Sequence, residues 1–228
     1  MKRILNRIRW KEKILSFQEK LDAYKKGIAK QAPKEALEIM NRATVDLQNS
    51  KIMEGVIKVG DKAPNFELKN AADKFVRLQD LLADGPLVLS FYRGKWWPFC
   101  NTELDALQES VSAIQGLGAT FVAISPQLVK FNREFVEQKK YTFDLLSDPG
   151  NEVARAFGLV HTLGEDMRKV YQQFDIDVPN HNGDNSWSLP MPARYIIDRE
   201  GIVRYAEVEP DHTVRPEPEH TIAALREL

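Results

Sequence analysis

Cys100 is the only cysteine among 228 residues, and it lies in the run Leu87-Val88-Leu89-Ser90-Phe91-Tyr92-Arg93-Gly94-Lys95-Trp96-Trp97-Pro98-Phe99-Cys100-Asn101-Thr102-Glu103-Leu104. Residues 86–92 are apolar and rich in branched and aromatic side chains, which predicts a buried strand. From 101 onward, Leu104, Leu107, Val111 and Ile114 recur with the spacing of one helix face. Cys100 therefore falls where a strand gives way to a helix. Free backbone N–H groups and the positive end of the helix dipole favour negative charge there, and the thiolate is the nucleophilic form of cysteine. The position predicts a thiol that is at least partly accessible, with a pKa below the unperturbed value of about 8.5. A lone cysteine also serves in many chains as a small buried hydrophobe. With no partner, it cannot close a disulfide within its own chain.

The same run carries a family resemblance. Trp-x-Pro-x-Cys after an apolar strand resembles the thioredoxin active-site loop, with Trp97 in place of the first cysteine. Cys100-Asn101-Thr102-Glu103 resembles the peroxidatic Cys-Thr-x-Glu of peroxiredoxins. Further matches follow in order: Val59-Gly60-Asp61-Lys62-Ala63-Pro64-Asn65-Phe66, Leu146-Ser147-Asp148-Pro149 with Val153-Ala154-Arg155-Ala156-Phe157-Gly158, Gly183-Asp184-Asn185-Ser186-Trp187, and Pro192-Ala193-Arg194-Tyr195-Ile196-Ile197-Asp198-Arg199-Glu200-Gly201. Together they cover roughly 59–228. They resemble the peroxiredoxin-like branch of the alkyl hydroperoxide reductase and thiol-specific antioxidant family.

That resemblance implies an oxidoreductase that reduces hydroperoxides, with Cys100 as the peroxidatic residue and no cofactor or metal. It also exposes departures. Typical peroxiredoxins carry a proline seven residues before the cysteine and a threonine three before it; here those positions hold Arg93 and Trp97. The late-strand arginine of the family aligns with Pro192, which is more like the cis-proline facing a thioredoxin site. Arg93, at the end of the strand feeding the loop, and Arg194, two residues after Pro192, are candidate replacements that would lower the thiol pKa and hold peroxide oxygens. For each the alternative is a surface salt bridge. Glu103 matches the family glutamate that positions an arginine, or is an ordinary acid in a first helical turn. Trp96 is expected beside the site. Trp97 removes the partner thiol and sets a bulky ring near the sulfur.

The elements that must position these residues alternate, which predicts an α/β layer structure. The expected order is a short hairpin (66–68 and 75–78), strand 86–92, helix 101–115, strand 119–125, helix 128–140, strand 143–146 and a helix over about 150–157. Strands 193–197 and 202–208 and helix 217–227 close the chain. Residues 158–188 are expected as a long insertion, part helical around Met167–Phe174 and then a polar loop; insertions of that length are commonly lids or contact surfaces. This is the thioredoxin-like architecture, a central mixed sheet flanked by helices.

Residues 1–55 differ from the domain expected over 56–228. They hold only Gly27 and Pro33 as breakers, and Ile14, Phe17, Leu21, Tyr24 and Ile28 form an apolar seam at helical spacing. A second amphipathic helix continues after Pro33 with Leu37, Met40 and Leu47. Two helices of this size need a surface to pack on, either their own domain or a second subunit; a homodimer joined through the arm is the expectation. Lys2, Arg3, Arg7, Arg9, Lys11 and Lys13 make the start basic, which reads as a solvated helix face or as a membrane-surface element.

Composition narrows the remaining choices. The 32 basic and 33 acidic residues leave a net charge of −1, so no global field points to nucleic acid or membrane. No window approaches the roughly 18 apolar residues of a membrane span. One cysteine accords with a reducing cytoplasm. His161, His181, His212 and His220 have no metal-ligand spacing and read as surface or structural. Three functions stay open: a one-cysteine thiol peroxidase whose sulfenic acid is reduced by an external thiol (a small thiol or a thioredoxin-like protein), thiol–disulfide exchange, and a non-catalytic redox sensor or interaction module.

Overall fold

The computed structural model describes residues 16–228; Ile14 and the basic start lie outside the described residues. The chain begins with α1 (Phe17–Gln31) and α2 (Lys34–Asn49), followed by β1 (Glu67–Asn70), β2 (Phe75–Arg77), α3 (Leu78–Asp84), β3 (Leu87–Phe91), α4 (Pro98–Gly116), β4 (Thr120–Ser125), α5 (Val129–Lys139) and β5 (Asp144–Ser147). The second half comprises α6 (Glu152–Ala156), β6 (Val160–Thr162), α7 (Glu165–Gln173), α8 (Val178–Asn182), β7 (Ser188–Pro190), β8 (Ala193–Ile197), β9 (Val203–Val208) and α9 (Pro218–Leu225). Seven strands form one mixed sheet in the order β2-β1-β5-β4-β3-β8-β9. The β3–β4 and β4–β5 pairs are parallel, and β8 is antiparallel to both β3 and β9.

Strand β3 is central and buried on both faces, as its unbroken apolar run requires. Leu87, Leu89 and Phe91 point into one apolar cluster, with Phe66, Phe157 and Tyr195, while Val88 and Tyr92 point into the other, with Cys100, Leu104 and Ile114. That alternation follows from the two-residue period of a strand. Helix α4 starts three residues earlier than its apolar spacing suggests, because Pro98 at the first helical position already holds the helical φ and needs no hydrogen-bonded N–H.

Helix α1 opens with a reciprocal capping box between Ser16 and Glu19 and lies on α4. Leu21 is buried in the Cys100 cluster, and Phe17 and Ile28 pack against it. Tyr24 is half exposed and meets the Phe99 ring at 6.3 Å between centroids. The described part of the seam is thus covered mainly by its own domain. Among the described residues, no helix is long and apolar enough to cross a membrane.

The insertion departs most from expectation. Its second half is not a polar loop: α8 and β7 follow α7, and β7 pairs with β6. Leu163, Met167, Val170, Tyr171, Val178, Trp187 and Leu189 form a third apolar cluster, closed from α2 by Ala36. The asparagine and aspartate content misleads because several of these side chains bond backbone. Asn182 donates to the Ser188 carbonyl, Asp177 accepts from the Asn180 amide and Asp184 accepts from the Ser186 amide. Trp187 itself sits at φ +55°, a left-handed conformation unusual for a bulky residue.

Candidate active site

The candidate nucleophile is delivered by the six residues between β3 and α4. Gly94 has φ +150°, and a side chain there would run into the Trp96 indole, so the loop needs glycine to let that ring lie across it. The amide of Lys95 donates to Gln127 Oε1 at 3.0 Å, and Asn101 Nδ2 returns a bond to the Lys95 carbonyl at 2.9 Å. Gln127 belongs to a buried polar chain: its Nε2 and the Tyr92 hydroxyl both donate to Asn132 Oδ1, and Asn132 Nδ2 donates to Ser147 Oγ. A fully bonded chain of this kind fixes the loop to β4, α5 and β5.

Cys100 is the third residue of α4 and is completely buried, which corrects the expectation of a partly accessible thiol. Trp97, Phe99 and Tyr92 share its apolar cluster, so the bulky ring at the position of the missing cysteine forms part of the cover. Two groups donate to Sγ: the Arg93 amide at 3.5 Å and Nη2 of Arg215 at 3.3 Å. Arg215 was not foreseen. It lies in the irregular segment before α9, where no periodicity marks it, and only the closed fold brings it 115 positions back to the sulfur.

Glu103 explains how two buried guanidiniums are held together. Three residues beyond Cys100, it lies on the same side of α4. Its Oε1 takes Arg194 Nη2 at 2.7 Å, and its Oε2 pairs with Arg215 Nε at 2.7 Å. Arg194 also donates to Thr221 Oγ1 at 3.0 Å, tying β8 to α9. Arg194 is therefore part of the network without touching the sulfur. The triad of one carboxylate and two guanidiniums carries one surplus positive charge, and Arg215 presents it to Sγ. The His212 carbonyl accepts both Arg215 Nη1 at 2.7 Å and Trp97 Nε1 at 3.2 Å. One backbone oxygen thus anchors both the cation and the aromatic cover.

The other expected residues divide. Arg93 turns its side chain away from the sulfur and donates to the Tyr171 hydroxyl at 2.6 Å, its guanidinium lying 5.2–5.7 Å from the centroids of Trp96, Trp97 and Tyr171. Burial raises the Tyr171 pKa against the opposing pull of Arg93, so its hydroxyl keeps its proton. Trp96 packs at the site as expected, edge-on to Trp97 and Tyr171. Pro192 stands just before β8, next to the Phe91–Ala193 pair, and every described peptide bond is trans, so it is not a cis-proline. His212, read from sequence as surface or structural, is buried against Trp97 with ring centroids 5.0 Å apart. Among the described residues, no group of three or more His, Cys, Asp or Glu side chains is placed to hold a metal ion.

Comparison with known proteins bears on the family and the fold. A family model described as the AhpC/TSA family matches residues 59–206. A putative peroxiredoxin bcp of Haemophilus influenzae is 39% identical over 103 residues, which is 45% of this chain and 66% of the relative. The peroxiredoxin Bcp of Bacillus subtilis is 33% identical over 115 residues, 50% of this chain and 72% of the relative. The chain thus spans 66% of the Haemophilus relative and 61% of the chloroplastic peroxiredoxin Q of rice. Among solved structures, peroxidoxin BcpB from Mycobacterium tuberculosis superposes with a TM-score of 0.60 at 25% identity, covering 75% of this chain and 98% of that one. Peroxiredoxin Q of Xanthomonas campestris gives 0.57 at 20% identity, covering 76% and 98%, a likeness of fold. A thioredoxin-like sheet, a cysteine in the first turn of α4 and a match over more than half of its length place this chain in the AhpC/TSA family.

Proposed function

We propose that this protein is a one-cysteine thiol peroxidase. The observation that carries the reading is the contact of Arg215 with Cys100 Sγ, made by a buried cluster whose surplus positive charge a sulfur anion neutralises. The Cys100 thiolate attacks the terminal oxygen of a hydroperoxide ROOH. The S–O bond forms as the O–O bond breaks, the sulfur is oxidised to sulfenic acid, and the departing RO⁻ takes a proton to leave as ROH. Arg215 and the Arg93 amide hold charge on the sulfur and on the oxygens as it shifts between them. The sulfenic acid condenses with an external thiol, releasing water, and a second thiol displaces the mixed disulfide to regenerate Cys100. No second cysteine in the chain competes with that external thiol.

The names of the relatives as peroxiredoxins support the reading. Peroxide reaches the buried thiol only if the cover that Trp97 shares with Phe99 and Tyr92 opens, and it is this cover that favours the alternative of a non-catalytic redox module. Consumption of peroxide with a thiol donor, measured on wild type and Cys100→Ser, separates the two. Turnover lost in Cys100→Ser is the expected result, and a wild type that consumes no peroxide rejects the enzyme. A cytoplasmic setting belongs to the same reading, in keeping with one unpaired cysteine. A homodimer does not depend on the α1 seam, since Phe17, Leu21 and Ile28 are packed within the chain. Light scattering at micromolar concentration tests it, a monomeric mass removing it from the proposal.

A further inference from the structure

Arg93 is 1% exposed, and no carboxylate pairs with it among the described residues. Its Nη2 bonds Tyr171, while Nε and Nη1 have no hydrogen-bond partner. A buried guanidinium with two idle donors is costly unless an anion completes it. The contrast with Arg194 and Arg215, both held by Glu103, is direct.

Arg93 lines a cavity of about 320 Å³ between α2, β6 and the segment carrying His212, with Ala43, Leu47, Met167 and His161 among its walls. That volume suits a small organic molecule. Desolvation first, and the Arg93 charge second, push the His161 pKa down to about 3 and His212 well below 6.5, so both rings are neutral and Arg93 is the cation of the cavity. The aliphatic walls favour an apolar chain behind a single negative head. Asp46, exposed at the rim, opposes a second negative charge at the outer end. The backbone amide of the same Arg93 contacts Sγ, so the head of such a ligand would lie about one side-chain length from the sulfur.

We propose that this cavity binds short monocarboxylates, with the carboxylate on Arg93 and the chain along α2, and, on the peroxidase reading above, that it holds a carboxylate-bearing substrate beside Cys100. The carboxylate belongs either to the hydroperoxide or to the thiol donor.

The first test is binding, which needs no turnover. Hexanoate is titrated into the full chain and followed by tryptophan fluorescence, because Trp96 and Trp97 share Arg93 with the ligand. Saturation with a Kd of about 1 mM or tighter is expected, with hexanol, adipate and the Arg93→Met variant each at least roughly tenfold weaker. Ala43→Phe, which fills the cavity from α2 and leaves the guanidinium in place, should weaken hexanoate equally and decides the matter if Arg93→Met fails to fold. Absence of saturation, hexanol or adipate binding as well as hexanoate, or unchanged affinity in folded Ala43→Phe would each overturn the site. The second test assigns the source. KM is compared between 3-mercaptopropionate and 2-mercaptoethanol, and between a carboxylated hydroperoxide and tert-butyl hydroperoxide. The pair whose KM ratio collapses towards one in Ala43→Phe contains the natural partner; two unchanged ratios refute the substrate role. Hexanoate binding without turnover on any pair would leave the site standing and remove the peroxidase.

Discussion

Replacing Arg215 by methionine removes the side-chain cation that touches the sulfur and keeps much of its length. With Nη2 at 3.3 Å from Sγ, opposite unit charges attract by about 5 kcal/mol at an effective dielectric of about 20. Glu103, ion-paired with Nε of the same guanidinium, offsets part of that attraction, and Arg194 on the other oxygen of Glu103 restores some of it. A charge-assisted hydrogen bond is worth about 1.5–3 kcal/mol net, so a loss near 2 kcal/mol, roughly 30-fold in rate, is the expected cost. The measurement is single-turnover oxidation of reduced protein by hydrogen peroxide in a stopped-flow instrument, with sulfenic acid verified by mass spectrometry. Arg215→Lys should fall between, since a single ammonium cannot span Sγ, Glu103 and the His212 carbonyl as a planar fork does. A folded Arg215→Met protein that oxidises within about twofold of wild type would refute the assignment of charge stabilisation to this residue.

Glu103→Gln leaves two buried guanidiniums without their carboxylate and should destabilise the fold by about 3–5 kcal/mol, read from the urea midpoint; a shift below 1 kcal/mol would mean that the cluster is not held by this charge. Trp97→Cys restores a Cys-Pro-Phe-Cys spacing at the start of α4, and the peroxide-treated variant should lose two hydrogens by mass spectrometry; two free thiols after treatment would contradict closure of the loop. Desolvation above all, aided by Arg93 and Arg215, holds His212 well below 6.5, and His161 is likewise pushed down to about 3. Between about pH 6.5 and pH 3 the unfolded chain therefore binds more protons, and stability falls as pH falls, by up to about 1.4 kcal/mol per pH unit for a fully buried histidine and less for half-buried His161. His212→Gln should lose less stability than wild type between pH 7 and pH 5, and an equal loss would place the acid response elsewhere.

Local pattern carried most of the fold. The apolar run before Cys100, the three- and four-residue spacing after it and the turn at Asp198-Arg199-Glu200-Gly201 between β8 and β9 are each local marks, so these elements fall within a few residues of where those marks put them. The insertion escaped because its apolar residues are spaced irregularly and its polar ones serve backbone groups, a distinction that exists only after folding. In the site, Cys100 was legible from its place where an apolar run gives way to helical spacing, and Glu103 from its match to the family glutamate. Arg93 and Arg194 were found, but neither side chain reaches the sulfur: strand position shows where a Cα lies and not where a long side chain turns. Arg215 carries no local mark at all. His212 was passed over for the same reason, since burial of an isolated histidine is a property of tertiary packing.

The clasp made by the His212 carbonyl, Arg215 and Glu103 sets two lengths of chain against each other. The stretch recognised as the family's common part, 59–206, holds the nucleophile and its glutamate, yet the cation on the sulfur arrives from position 215 and the first cover for α4 from position 21. The stretch that matches the family model is therefore shorter than what packs together around the sulfur. A chain trimmed to the shared part would keep every residue by which the family is recognised while leaving Glu103 with one of its two arginines and the sulfur with only a backbone donor. In this protein the segment after the shared part supplies the side-chain cation on the sulfur, and the segment before it supplies part of the apolar cover over α4.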